Sequence, residues 1–136
     1  MTVTFTVQGK PQGKGRPRIA NGHCYTPQKT RDYENLIAQE YKRQVKAYFA
    51  NVPLMVQVTA IMPIPKATNK ADKAEMLADN ILPMGKPDID NICKAVLDGL
   101  NGVAYADDTQ VVTLSAKKVY EQGEGLLIIS ITNLTN

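Results

Sequence analysis

Pro87-Asp88-Ile89-Asp90-Asn91-Ile92-Cys93-Lys94 is the stretch on which the reading of this chain turns. This stretch leads into a helix over Asn91 to Leu100, where Ile92, Ala95, Val96 and Leu100 form an apolar stripe at helical spacing. Gly99 and Gly102 mark its end. Five aspartates, Asp88, Asp90, Asp98, Asp107 and Asp108, gather here on a chain of formal net charge +3. Carboxylates repel one another, so such a cluster with a lysine inside it suggests a cation site that handles phosphate.

The elements on either side predict the fold. Val3, Phe5 and Val7 alternate with threonines, as in a half-buried strand. Gln8 to Cys24 is rich in Gly, Pro and cations and reads as a long loop or irregular ribbon. Thr26-Pro27 opens a helix expected over about Pro27 to Phe49, with Tyr33, Leu36, Ile37, Tyr41, Val45 and Tyr48 on its apolar face. Leu54 to Met62 is apolar on both faces, so it is expected to be a central strand. Lys66 to Asn80 predicts a short polar helix, an insertion or flap before the acidic segment. Gln110 to Tyr120 and Gly125 to Thr132 predict two strands, joined as a hairpin by Glu121-Gln122-Gly123-Glu124. The sum is one compact α+β domain over residues 1–136, with a mixed sheet of about four strands and helices packed on it.

Composition sets the class. At 136 residues, 43% apolar and 21% charged, the chain can bury a core and does not read as disordered. Two cysteines and one histidine, His23, are too few for a classical zinc site, and the cysteines read as reduced thiols. No apolar run approaches the roughly 20 residues that span a bilayer. A cytoplasmic protein without a membrane partner is the expectation. Residues 10–31 carry Lys10, Lys14, Arg16, Arg18, Lys29 and Arg31 near the first helix, a cationic tract suited to phosphates.

Asp88 and Asp90 share one side of an extended segment, and Asp90 and Lys94 share a helix face. If Asp107-Asp108 returned to this junction, three carboxylates would offer hard oxygen ligands to Mg²⁺. Lys94 would bring an ammonium to the scissile phosphate. A plainer reading stays open at this point: Asp90 as an N-cap, Lys94 and Asp98 as a surface pair, Asp107-Asp108 as a turn. An EF-hand loop fails because Ile92 and Cys93 occupy positions needing a ligand and glycine, and no GxxxxGK[ST] or GxSxG element is present.

The run Asp88-Ile89-Asp90-Asn91-Ile92-Cys93-Lys94, then Asp98, then Asp107-Asp108-Thr109-Gln110-Val111, resembles the RusA family of Holliday-junction resolvases. Gly9 to Arg18, with Tyr25-Thr26-Pro27, resembles its phage and Gram-positive branch. The resemblance implies a RusA-like fold and a homodimeric endodeoxyribonuclease. That enzyme would use Mg²⁺, or Mn²⁺ in its place, to cut four-way junction DNA symmetrically in two strands, in recombination or repair. Carried over by position, Asp88, Asp90 and Asp108 would bind metal and Lys94 would be the catalytic lysine. Asp107 and Asp98 are left without a firm role. Some members have arginines before the first aspartate, where this chain has Met84-Gly85-Lys86-Pro87. DNA contact is therefore expected from Lys86 together with the N-terminal cations. Two other readings are a non-catalytic junction-binding protein with a structural acidic cluster, and a nucleotidyltransferase, which lacks its Gly-Ser element here.

Overall fold

The structure is a computed structural model and describes residues 1–135. Four strands make the main sheet: β1 (Thr2–Gln8), β4 (Leu54–Pro63), β5 (Val111–Glu121) and β6 (Leu126–Asn133). Their order is β1-β6-β4-β5. β6 runs antiparallel to both of its neighbours, and β4 and β5 are parallel. β4 is therefore central, as its two-sided apolarity predicts.

The predicted hairpin between the last two strands is not formed. β6 enters between β1 and β4, so β4 separates it from β5. The burial each strand needs explains this. Leu127, Ile129 and Ile131 of β6 are fully buried and require an interior position, whereas Lys117 and Ser115 suit an edge. The connection turns at Gly125, whose φ of +101° strains any side chain. A Cβ there would also lie 2.7 Å from Lys10 Cα.

Helices cover one face of the sheet. In α1 (Gln28–Gln44), Thr30, Tyr33, Ile37 and Tyr41 are buried. Tyr41 meets Phe5 of β1 edge-on, with ring centroids 5.2 Å apart. The helix is shorter than the sequence predicts. It stops at Val45, and Lys46 turns left-handed at φ 67°. Tyr48 thus falls off the predicted apolar face, and Leu36 stays exposed at its margin. In α3 (Ile89–Leu100), Ile92, Ala95, Val96 and Leu100 bury the stripe read from sequence. Gly99 lets α3 close on α1: a Cβ there would stand 3.0 Å from Glu34 O and 3.1 Å from Ile37 Cβ. On the opposite sheet face the hydroxyls of Thr4 and Ser130 bond at 2.9 Å across β1 and β6.

Two smaller elements complete the chain. The segment 66–80 contains α2 (Lys70–Leu77), capped by Asn69 and without a buried residue. The predicted loop 8–24 holds a short hairpin, β2 (Arg18–Ala20) and β3 (His23–Tyr25). Asn21 and Gly22 turn it with φ of 52° and 76°, the type I′ geometry that an Asn-Gly pair supplies.

Candidate active site and cation-lined cleft

Asp88 occupies the N-cap position of α3, and its side chain makes no capping bond. Asp90 lies in the first turn. Both are exposed, so neither carboxylate is spent on ending the helix. Lys94, one turn further, is also exposed and makes no ion pair among the described residues. The plain surface pair with Asp98 is not formed, because the Lys14 ammonium takes Asp98 and also pairs with Glu34 Oε2 at 3.3 Å.

Lys14 is the residue whose placement differs most from the sequence reading. Its backbone N–H donates to Asn91 O at 2.9 Å, and Gly15 N–H donates to the Thr30 hydroxyl at 2.9 Å. A Cβ on Gly13 would lie 2.9 Å from Asn91 Cβ. Gly13 and Gly15 therefore let the backbone approach α3 and α1 closely. The carboxylates around the Lys14 ammonium, Asp98 foremost, raise its pKa above the ordinary lysine value.

The other cations converge. Lys10, Arg16, Arg18, Lys29 and Lys86 line one cleft of about 500 Å³ that reaches Pro87, the neighbour of Asp88. Arg31 lies outside it and donates to Gln28 Oε1 at 2.6 Å. Sequence reasoning missed Lys118, whose Nζ donates to Gly85 O at 2.8 Å and Pro87 O at 3.1 Å. It ties the segment before Asp88 to β5; a lone lysine in a strand carries no signal of this in sequence.

Asp107 and Asp108 divide their roles. Asp107 caps the single 3₁₀ turn Asp108–Gln110 in a reciprocal box with Gln110. The Gln110 amide donates to Phe49 O at 2.9 Å and Val52 O at 3.2 Å. Asp107 is thereby committed to the backbone, while Asp108 keeps its carboxyl group for other work. Partial burial, followed by the charges of Asp107 and Asp98, raises the Asp108 pKa. This crowding is of the kind a bound cation relieves.

Asp88, Asp90 and Asp108 do not form a three-carboxylate cluster among the described residues. The carboxylates acting on it belong to Asp98 and Asp107, at the C-terminal end of α3. Asp98 stands eight residues beyond Asp90, a rise of about 12 Å along the axis. No three Asp, Glu, His or Cys side chains among the described residues come close enough to hold one ion. The connection after α3 leaves Asp108 within the influence of Asp98, in the last turns of that helix. β5 then runs back beside α3. Between them lies a hollow of about 410 Å³ lined by Ile89, Cys93, Leu97 and Leu114, with Asp90 and Lys94 on its rim. Cys93 is buried, and burial, then the Asp90 charge, pushes its thiol up. No helix among the described residues is long and apolar enough to cross a membrane.

An α+β domain that sets free carboxylates and a lysine beside a cation-lined cleft has the makings of a nuclease. The family model described as "Endodeoxyribonuclease RusA" matches residues 8–132. The chain is also 35% identical over 126 residues to "Uncharacterized protein YqaN" of Bacillus subtilis (strain 168), covering 88% of this chain and 89% of that protein. The chain belongs to the RusA family of endodeoxyribonucleases, enzymes that resolve Holliday junctions.

Proposed function

We propose that this endonuclease acts as a homodimer that cuts four-way junction DNA by paired, symmetric, Mg²⁺-dependent hydrolysis. Asp88, Asp90 and Asp108 are the metal carboxylates and Lys94 the catalytic lysine of this reading. The observation that carries it is the exposed Asp88, Asp90 and Lys94 face of α3 beside a cleft lined by five cations. The donor set fits a hard divalent ion, since it offers carboxylate oxygens and no histidine. Mn²⁺ would serve as well. A bound ion would supply charge compensation and an activated water for phosphodiester hydrolysis.

The division of the carboxylates along α3 supports a dimer. Ile89 and Leu114 present exposed apolar surface at the hollow between α3 and β5. A two-fold axis through this hollow, perpendicular to α3, would set the two copies of the helix antiparallel. The Asp88 and Asp90 end of one protomer would then face the Asp98 and Asp108 end of its partner. Each site would draw on both chains, and the two sites would match the two-fold symmetry of a junction.

The chain's own groups have distinct tasks in this reading. Lys10, Arg16, Arg18, Lys29 and Lys86 hold phosphates and set affinity rather than sequence preference. Lys94 offsets charge developing on the phosphoryl oxygens. Lys14 fixes the basic loop against α1 and α3, and Arg31 adds charge outside the cleft. Lys118 and Gln110 position the segments that carry Asp88 and Asp108.

Cleavage of an end-labelled junction with Mg²⁺ tests the reading. Asp90→Asn should abolish paired nicks and leave binding intact; full activity in that variant removes its assigned role. Mixing Asp90→Asn with Asp108→Asn protein tests the shared site. In the mixed dimer, one site keeps Asp90 from one chain and Asp108 from the other, so nicking returns. If each site lay within one chain, no mixture would cut. Junction binding without cleavage under any divalent ion would favour the non-catalytic binding protein instead.

A further inference from the structure

The β2–β3 arm has no structural task that accounts for its side chains. All six of its strand residues are exposed, and neither strand joins the main sheet. A two-stranded hairpin alone is marginal in water. This one nevertheless displays Ile19 and Tyr25, which are 78% and 46% exposed. The pairs Arg18–Tyr25, Ile19–Cys24 and Ala20–His23 fix its faces. Alternation puts Arg18, His23 and Tyr25 on one face and Ile19 with Cys24 on the other. Arg18 lines the cationic cleft, so the Arg18, His23 and Tyr25 face is the one continuous with it.

We infer that this face is a stacking platform for bases exposed at the branch point of a junction, and that it separates junctions from plain duplex. The inference rests on the junction-binding reading above. Charge complementarity selects the occupant: residues 10–22 hold cations and no acid, which suits a polyanion. Within that class, an aromatic ring between an arginine and a histidine has little to gain from a phosphate backbone. It has much to gain from the face of a base. Bases in continuous duplex are stacked and closed to it, whereas those at a branch point open readily. Phosphates held by Arg16, Lys29 and Lys86 would deliver the branch point to Tyr25.

Dissociation constants of full-length protein for an immobile four-way junction and a linear duplex of equal length, measured without divalent ions at one salt concentration, test this. Tyr25→Ala should weaken junction binding about 10-fold and leave duplex binding unchanged. Tyr25→Phe should keep the wild-type preference. The exposed position predicts an unchanged melting temperature for both variants, so a destabilised domain is distinguishable from a lost stack. Equal losses on both substrates would make Tyr25 an ordinary affinity contact and overturn the inference, as would an unchanged preference in Tyr25→Ala. Wild-type protein that binds the two substrates equally would overturn the junction reading itself.

Discussion

Lys14→Met separates two tasks that a lysine in a basic loop can have. In the structure its ammonium is held by Asp98 and Glu34, with side chains 25% (Lys14), 34% (Asp98) and 18% (Glu34) exposed. Such a group lies between a surface pair worth at most about 1 kcal/mol and a buried one whose disruption costs about 3–5 kcal/mol. Methionine keeps most of the apolar stem and leaves two carboxylates facing each other without a cation. A loss of about 2 kcal/mol follows. For 136 residues the unfolding entropy is about 0.29 kcal/mol/K, so the melting temperature should fall by about 7 °C. Thermal unfolding followed by circular dichroism at neutral pH reads this directly. Lys14 has a raised pKa, so its contribution should be fully present below 10.5 and lost as pH rises through the folded value. Adding Glu34→Gln and Asp98→Asn should restore much of the loss. The reasoning is refuted if Lys14→Met melts within about 2 °C of wild type while the salt slope of DNA binding falls by about 0.9, the signature of a lost phosphate contact.

Three further outcomes follow from the packing. Gly99→Ala should destabilise by about 1 kcal/mol in urea unfolding, because the clash with Glu34 O and Ile37 exceeds the gain in helix propensity. Gln110→Ala should cost about 2 kcal/mol by the same measurement, since it leaves the Phe49 and Val52 carbonyls and the Asp107 N–H without their partner. It should also lower cleavage more than junction binding by loosening Asp108. Burial pushes Tyr33 and Tyr41 up to about 12 from an ordinary 10.0. Between these values the unfolded chain loses its phenolic protons first, so stability should fall as pH rises from 10 to 12. A pH titration of the urea midpoint in which Tyr33→Phe leaves that fall as steep as in wild type would contradict this.

What the sequence made legible was local. The Pro87-Asp88 entry and the spacing of Ile92, Ala95, Val96 and Leu100 placed α3 and put Asp90 and Lys94 on its open face. The two-sided apolarity of Leu54 to Met62 placed β4 at the centre. Long-range pairing was harder to read. Glu121-Gln122-Gly123-Glu124 is a sound turn signal, but the apolar alternation of Leu127, Ile129 and Ile131 decides where β6 goes. Asn21-Gly22 does announce a hairpin; its flanks, Arg18-Ile19-Ala20 and His23-Cys24-Tyr25, lack an apolar rhythm to support it. Charge partners are equally hidden. Nothing in residues 10–18 distinguishes Lys14, which meets two carboxylates, from Arg16 and Arg18, which line the cleft. Asp108 is acted on by Asp98 and Asp107 because a 12-residue helix carries the chain away from Asp90 before the strand begins to bring it back.

The place of β6 also bears on how the protein is made. β1 is synthesised before the other strands of its sheet, but its hydrogen-bonding partner β6 follows all of them: Thr2 lies opposite Thr132, and Asn133 N–H donates to Met1 O at 3.0 Å. On the ribosome β1 must wait for β6, and β4 and β5 can pair before the strand that will divide β4 from β1 has emerged. The cation-lined cleft borrows from the same closure, because Gly9 N–H donates to Gly125 O at the head of the basic loop. A nascent chain is thus denied a finished cation-lined cleft until translation has passed residue 133, and a nuclease that cannot assemble early cannot act early.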